Sequence, residues 1–172
     1  MRVAMLGILS VILLFGCNSQ TTSIRSTSMD DAPQDIRSSE DLASDNQLLE
    51  GKAQYLKGDY RQACKHLIRA VSNNQRNWEA QYYFGLSQQK LGMHDRAVTS
   101  LTAALRYCPS EQQTVARINY ALGVSLEAQG YLAKAKEQYT TAATLWPDFA
   151  EAQAALARVD AKLEIGKQQT TD

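Results

Sequence analysis

Apolar and polar residues divide this chain into four parts. A positive start at Met1 and Arg2 leads into one apolar run, Val3–Gly16, broken only by the small residues Gly7, Ser10 and Gly16. From Asn18 to about Arg37 the chain is rich in Ser, Thr, Asp and Gln, contains Pro33 and has no helical period, so it reads as a flexible tether reaching roughly 25 Å. From Asp45 to about Phe149 apolar residues recur at the spacing of amphipathic helices. In the last part Ala152, Ala155, Leu156, Val159 and Leu163 line one face of a helix ending near Gly166, with Glu151, Arg158, Asp160 and Lys162 on its other face. Residues 167–172 are expected to be a disordered tail.

The third part is internally repetitive. Gly51, Gly85 and Gly123 correspond, as do Gly58, Gly92 and Gly130, then Ala63, Ala97 and Ala135, then Leu67, Leu101 and Tyr139, then Ala70, Ala104 and Ala142. Gln75, Pro109 and Pro147 close the blocks in the same register, and the repeat step is 34 residues and then 38. Each block predicts two helices with a turn at its second glycine, where φ > 0 is favoured. The first glycine falls mid-helix, where it costs up to about 1 kcal/mol against alanine, so close approach of the partner helix is the expected compensation. The alanines Ala63, Ala97 and Ala135 should face it for the same reason. Pro109 and Pro147 cannot continue a helix and mark exits from their blocks.

The longer second step comes from extra residues near Ser110–Gln113. About four residues make one helical turn, and Ser110 with Gln113 has the form of a capping box, so the third block's first helix should protrude by one turn. Asp148 and Glu151 have the same form ahead of the final helix, whose polar outer face would keep the end of the stack soluble.

The stretches "YFGLSQQKLGMHDRAVTSLTAALRYCP" and "YALGVSLEAQGYLAKAKEQYTTAATLWP" resemble the tetratricopeptide repeat (TPR) in their glycines, alanines and prolines. The first block departs at Glu50, where that family favours leucine, and at Gln75, where it favours proline; Gln47, Gln81 and Asn119 stand where it has a tryptophan. The resemblance implies an all-α, right-handed solenoid over residues 39–166, with repeats near 44–77, 78–111 and 112–149 and a capping helix over 149–165.

Leu14-Phe15-Gly16-Cys17 resembles a bacterial lipobox, in which a leucine, a variable residue and a small residue precede the cysteine that becomes the lipidated first residue of the mature protein. Residues 1–16 have the pattern of a secretory signal peptide, and the apolar run falls short of the roughly 20 residues of a spanning helix. The resemblance implies acyl chains on Cys17, a tether over 17–38 and, because Asn18 is not aspartate, an outer-membrane address facing the periplasm. Two or three acyl chains make a stable anchor, since each buried methylene contributes about 0.8 kcal/mol.

Composition narrows the function. Eighteen basic and 18 acidic residues give zero formal charge, so no electrostatic footprint for nucleic acid is present. His66 and His94 lack converging partners, and no nucleophile, acid–base or phosphate-loop motif is visible, so neither a metal, a cofactor nor catalysis is expected. Cys64 and Cys108 lie about ten residues out of register on parallel helices, roughly 15 Å apart along the axis. A disulfide needs alpha carbons within about 7 Å, which disfavours an intramolecular bridge and leaves an intermolecular one through Cys108 open.

In the tetratricopeptide family partners dock as helices or extended peptides on the concave wall built by first helices. That resemblance places Leu48, Lys52, Tyr55, Tyr82, Leu86, Gln89, Arg117, Tyr120, Val124, Glu127 and Arg158 on the wall. Tyrosine and arginine suit peptide anchoring; the alternative is that Tyr82 and Tyr120 pack between neighbouring helices. The subclass that grips a chaperone's acidic C-terminus is matched only at Arg117 and not at Leu48, Tyr83 or Ala121. A short TPR lipoprotein further resembles the assembly lipoproteins of pilus and secretion systems, the type IV pilotins and the Flp (tight-adherence) pilus lipoprotein. That implies a non-enzymatic scaffold whose client is a secretin or pilus component. Alternatives are an adaptor for cell-wall hydrolases or a protease, and direct binding of cell-wall peptide or glycan.

Overall fold

A computed structural model describes residues 38–169; Cys17, the signal run and the tether as far as Arg37 lie outside the described residues. Among the described residues the chain forms seven helices and no strand: α1 Ser39–Leu56, α2 Tyr60–Asn73, α3 Trp78–Lys90, α4 His94–Tyr107, α5 Gln112–Ala128, α6 Leu132–Leu145 and α7 Ala150–Gln169. Each helix packs on its neighbours in sequence, and the first helices α1, α3 and α5 also touch in series. Three helix pairs and a closing helix are therefore stacked in chain order, as the repeats predict.

Local chemistry sets the boundaries. Gly58, Gly92 and Gly130 have φ of 83°, 75° and 82°. Beyond each, a backbone N–H reaches back over the turn, Asp59 to the Gln54 carbonyl, Met93 to Gln88 and Tyr131 to Leu126. This left-handed closure satisfies carbonyls that a helix end would otherwise leave unpaired. α2, α4 and α6 end at Asn73, Tyr107 and Leu145, each two residues before Gln75, Pro109 and Pro147. Gln75 thus holds the place of a proline, and the exit there is made by Asn74, whose side-chain oxygen accepts from the Arg76 N–H at 2.8 Å.

The mid-helix glycines are contact points. A Cβ on Gly51 would lie 2.5 Å from Leu67 Cγ, one on Gly85 2.7 Å from Leu101 Cγ, and one on Gly123 2.5 Å from Tyr139 Cε1. Helix pairs close over bulky side chains because the facing residue has none. Around these contacts Ala63, Ala70, Ala97, Ala104, Ala135 and Ala142 are fully buried, so the second helices seat closely. Leu67 and Leu101, also fully buried, each contribute about 2 kcal/mol by burial.

α5 runs for 17 residues against 13 for α3, the extra turn that the longer step predicts. Its cap is not Ser110, however. Glu111 is the N-cap and makes no side-chain cap bond; its carboxylate accepts instead from Thr114 Oγ1 at 2.8 Å. α7 likewise starts at Ala150, a residue later than a cap at Asp148 would set, because the chain leaves Pro147 through a turn in which the Phe149 N–H bonds the Trp146 carbonyl. It also continues past Gly166 to Gln169, taking in part of the tail expected to be disordered; Gly166 has open space around it and no positive φ. The buried face of α7 is the one the spacing predicts, with Ala152, Ala155 and Val159 fully buried.

Candidate functional site

First helices supply the wall on which the sequence places a groove, and the side chains there divide into connectors and a cavity. Leu48 does not belong to the wall: it is 7% exposed and packs with Leu67 and Ala63, because its side of α1 faces α2 and α3. Lys52 reaches across to Glu79 of α3 at 2.5 Å with its ammonium 5.1 Å from the Tyr83 ring centre. The hydrogen bond to Glu79 raises the Lys52 pKa and holds it charged. Tyr55 packs on Tyr60 and Tyr83 at 5.5 and 5.6 Å between ring centres, and burial pushes its phenol up.

Further along, Gln89 of α3 donates to the Ala121 carbonyl at 2.9 Å and to Ser125 Oγ at 2.8 Å, stitching α3 to α5. Leu86 packs into the core beside Leu101 and Ile118, and Val124 beside Tyr139 and Val159. Tyr120 is a packing residue, as the alternative reading has it, with ring centres 5.7 Å from Tyr139 and 5.0 Å from Phe149.

Glu127 is the hub of the last junction. Its side chain is 11% exposed and accepts from Tyr139 Oη at 2.9 Å, Arg158 Nε at 3.0 Å and Nη2 at 2.8 Å, and Lys162 Nζ at 2.8 Å. The Arg158 guanidinium, with Lys162 and Tyr139, holds the Glu127 carboxyl down at about 2. Burial and the bond to Glu127 push the Tyr139 phenol well above its ordinary value. Glu127 and Arg158 thus secure α7 to α5 and α6, and their role on the wall is structural.

What remains is a cavity between α3 and α5, lined by Trp78, Glu79, Tyr82, Tyr83, Thr114, Arg117 and Ile118, with a volume of about 80 Å³. The structure brings Tyr82 and Arg117 together here. Burial pushes the Tyr82 phenol up to about 12, so it is a neutral hydrogen-bonding group on an apolar ring. Arg117 is exposed, has no carboxylate partner among the described residues, and lies 5.4 Å from the Trp146 ring centre. The protruding turn of α5 carries Thr114 to the rim, which links the longer repeat step to the shape of the site.

Sequence reasoning missed Trp78, Glu79, Thr114 and Trp146. Walking back one more turn from Tyr82 reaches Trp78 and Glu79, and extending the third wall by its own extra turn reaches Thr114, so that signal was present. Trp146 sits in the exit turn, where no helical period points to it.

The remaining chemistry is sparse. Cys64 and Cys108 are free, partly buried thiols whose pKa values burial raises. His66 Nδ1 lies 3.2 Å from Gln47 Oε1, an interhelical contact. Among the described residues no group of three or more His, Cys, Asp or Glu could hold a metal ion, and no helix is long and apolar enough to cross a membrane.

Residues 79–110 and 116–149 each match a tetratricopeptide-repeat family, so the chain carries tetratricopeptide repeats. The first helix pair falls outside both matches and yet adopts the same fold. Similar solved structures include the second TPR domain of human RPAP3 in complex with an HSP70 peptide, at 16% identity and a TM-score of 0.61, covering 70% of this chain and 95% of that one. The Arabidopsis OM64 TPR domain is 18% identical with a TM-score of 0.65, covering 70% and 96%. MamA from Desulfovibrio magneticus RS-1 is 21% identical with a TM-score of 0.65, covering 74% and 70%. At these identities the likeness is one of fold. No curated protein matches the chain in sequence.

Proposed function

We propose that this tetratricopeptide-repeat chain is a non-enzymatic scaffold, anchored in the outer membrane by lipid on Cys17 and facing the periplasm, that holds a segment of a client during pilus or secretin assembly. The observation that carries the binding half is the cavity between α3 and α5. It combines an apolar aromatic wall, Trp78 and Tyr82, with a cation that forms no ion pair among the described residues, Arg117. Such aromatic and arginine anchors supply much of the energy of protein interfaces. The fold supports the same reading, since a relative of this architecture is seen with a bound peptide. A client side chain of modest size would fill the cavity, while Arg117 meets a backbone carbonyl or carboxylate at its rim.

The anchor rests on the resemblance of Leu14–Cys17 to a lipobox. Cys17→Ser in the full-length chain is expected to release the protein from membranes or leave it unprocessed. Unchanged membrane fractionation with a normal mature mass would refute lipidation. For the client, a photocrosslinking residue at Tyr82 in the native membrane should capture a secretin or pilus component. Capture of murein hydrolases or a protease without any such component would replace this reading with that of an adaptor.

A further inference from the structure

A second concavity lies on the other layer of the stack, bounded by α2 and α4 and floored by α3. It is lined by Arg61, Cys64, Lys65, Ile68, Phe84, Gln88, Leu91, Met93 and Arg96, and shares no residue with the α3–α5 cavity. Its volume is about 480 Å³. Phe84 and Leu91 form an apolar floor, and Ile68 and Met93 are exposed at its sides. Gln88 is the polar group of the floor, and its carboxamide oxygen is already occupied by Ser100 Oγ at 2.9 Å. Cys64, with its thiol pushed up by burial, is a neutral thiol here and lines the cleft as a small apolar group.

The charges at this cleft have one sign. Arg61, Lys65 and Arg96 are exposed, no carboxylate is among the lining residues, and none of the three cations forms an ion pair among the described residues. Some cations of the stack do pair, Lys52 with Glu79, Lys136 with Asp160 and both Arg158 and Lys162 with Glu127; what sets the cleft apart is three cations and no carboxylate along one lining. An apolar floor under unmatched cations selects an occupant with the complementary pattern.

We infer that this cleft is a second docking site, for an acidic segment of a partner protein that places one large aliphatic side chain on Phe84 and Leu91 and carboxylates beside Arg61, Lys65 and Arg96. The recessed floor favours a protruding side chain over a flat bilayer surface. Charge pairs at such a rim are individually weak and sensitive to salt, and they chiefly steer encounter. The apolar anchor must then supply the affinity. A site of this kind would let the scaffold engage two segments at once, one on each layer.

The test uses the full-length chain and a fluorescein-labelled peptide of one leucine flanked by four acidic residues on each side, read by anisotropy. Saturable binding is expected with Kd on the order of 10 to 100 μM at 50 mM salt, weakening about tenfold at 500 mM salt. Arg61→Glu with Lys65→Glu and Arg96→Glu, all at exposed positions, should weaken it by at least about tenfold, as should Ile68→Asp, with the circular dichroism spectrum unchanged. Tyr82→Ala should leave it intact, which separates this site from the α3–α5 cavity. Three results would overturn the inference. One is no saturation up to about 1 mM peptide. Another is equal binding when the leucine is replaced by serine or the acids by lysine. The third is dependence of phosphatidylglycerol vesicle binding, but not of peptide binding, on the three cations.

Discussion

The two ends of the helix stack are finished in different ways. At the first pair, α1 turns outward a stripe of Leu42, Leu49 and Leu56, which are 52%, 64% and 79% exposed. Apart from the Lys52–Glu79 pair, α1 is held to α2 and to the start of α3 by single hydrogen bonds. Ser44 Oγ donates to the Ala70 carbonyl and accepts from Asn77 Nδ2, both at 2.9 Å, and Asn74 Nδ2 donates to Asp41 at 2.6 Å. At the last pair the closing helix α7 buries Ala152, Ala155 and Val159 and is tied through Glu127 to two other helices. The difference starts from one substitution within the repeat. Leu67 and Leu101 become Tyr139, whose ring still packs against its glycine but whose hydroxyl reaches Glu127. One polar atom added to a packing residue turns a simple contact into a charged lock.

The largest expected effect breaks that lock through its backbone. Gly123→Ala places a methyl 2.5 Å from a ring that Glu127 holds in place, whereas Gly51→Ala meets the branched end of Leu67 at the same distance, where a rotamer change can give way. Urea denaturation should show a loss of about 3 kcal/mol for Gly123→Ala and about half that for Gly51→Ala. Equal losses would mean that Tyr139 is no better fixed than Leu67. Next in size, Glu127→Gln should cost about 2 kcal/mol near neutral pH, a figure discounted because Arg158 and Lys162 are half-exposed. In a solenoid that loss is local, so hydrogen exchange should quicken in α7 and leave α1 and α2 unchanged.

Glu127 also makes the closure pH-dependent, with a defined sign. Its folded pKa of about 2 lies below the ordinary 4.5. Its contribution is therefore complete above about pH 4.5 and lost as pH falls toward 2, where the folded carboxylate also takes its proton. Acid titration of α7 exchange should show this loss in the parent chain and none in Glu127→Gln. Tyr139→Phe, which keeps the ring and removes the hydroxyl, is expected to cost about 1 kcal/mol.

These locks mark the limit of what the sequence disclosed. The repeated glycines and alanines located the helix pairs and the extra turn of α5, because a close approach leaves a mark at a fixed spacing. Leu48 was misplaced because adjacent positions on a helix differ by about 100°, enough to turn a side chain from groove to core. Glu127 and Arg158 were found as residues but not as partners: they meet only after α7 folds back, at a separation of 31 residues that no local period encodes. The cavity was half legible, Tyr82 and Arg117 from the wall pattern, while the ring beside Arg117, Trp146, comes from an exit turn.

The smallest predicted effect tests the other end. Lys52 and Glu79 form an ion pair at the first junction, but their side chains remain 29% and 34% exposed. Water screens such a pair, and the ammonium's contact with the Tyr83 ring, 5.1 Å to its centre, is itself weak at a site this open to solvent. Lys52→Met should therefore cost no more than about 0.5 kcal/mol, and the difference should vanish near 0.5 M salt, where the screening length falls to about 4 Å. Glu127→Gln should keep much of its cost at that salt, because the buried Tyr139 bond lies out of reach of ions. A Lys52→Met penalty as large and as salt-resistant as that of Glu127→Gln would show both junctions to be charged locks, and the contrast between the two ends would have to be sought in the exposed leucines of α1.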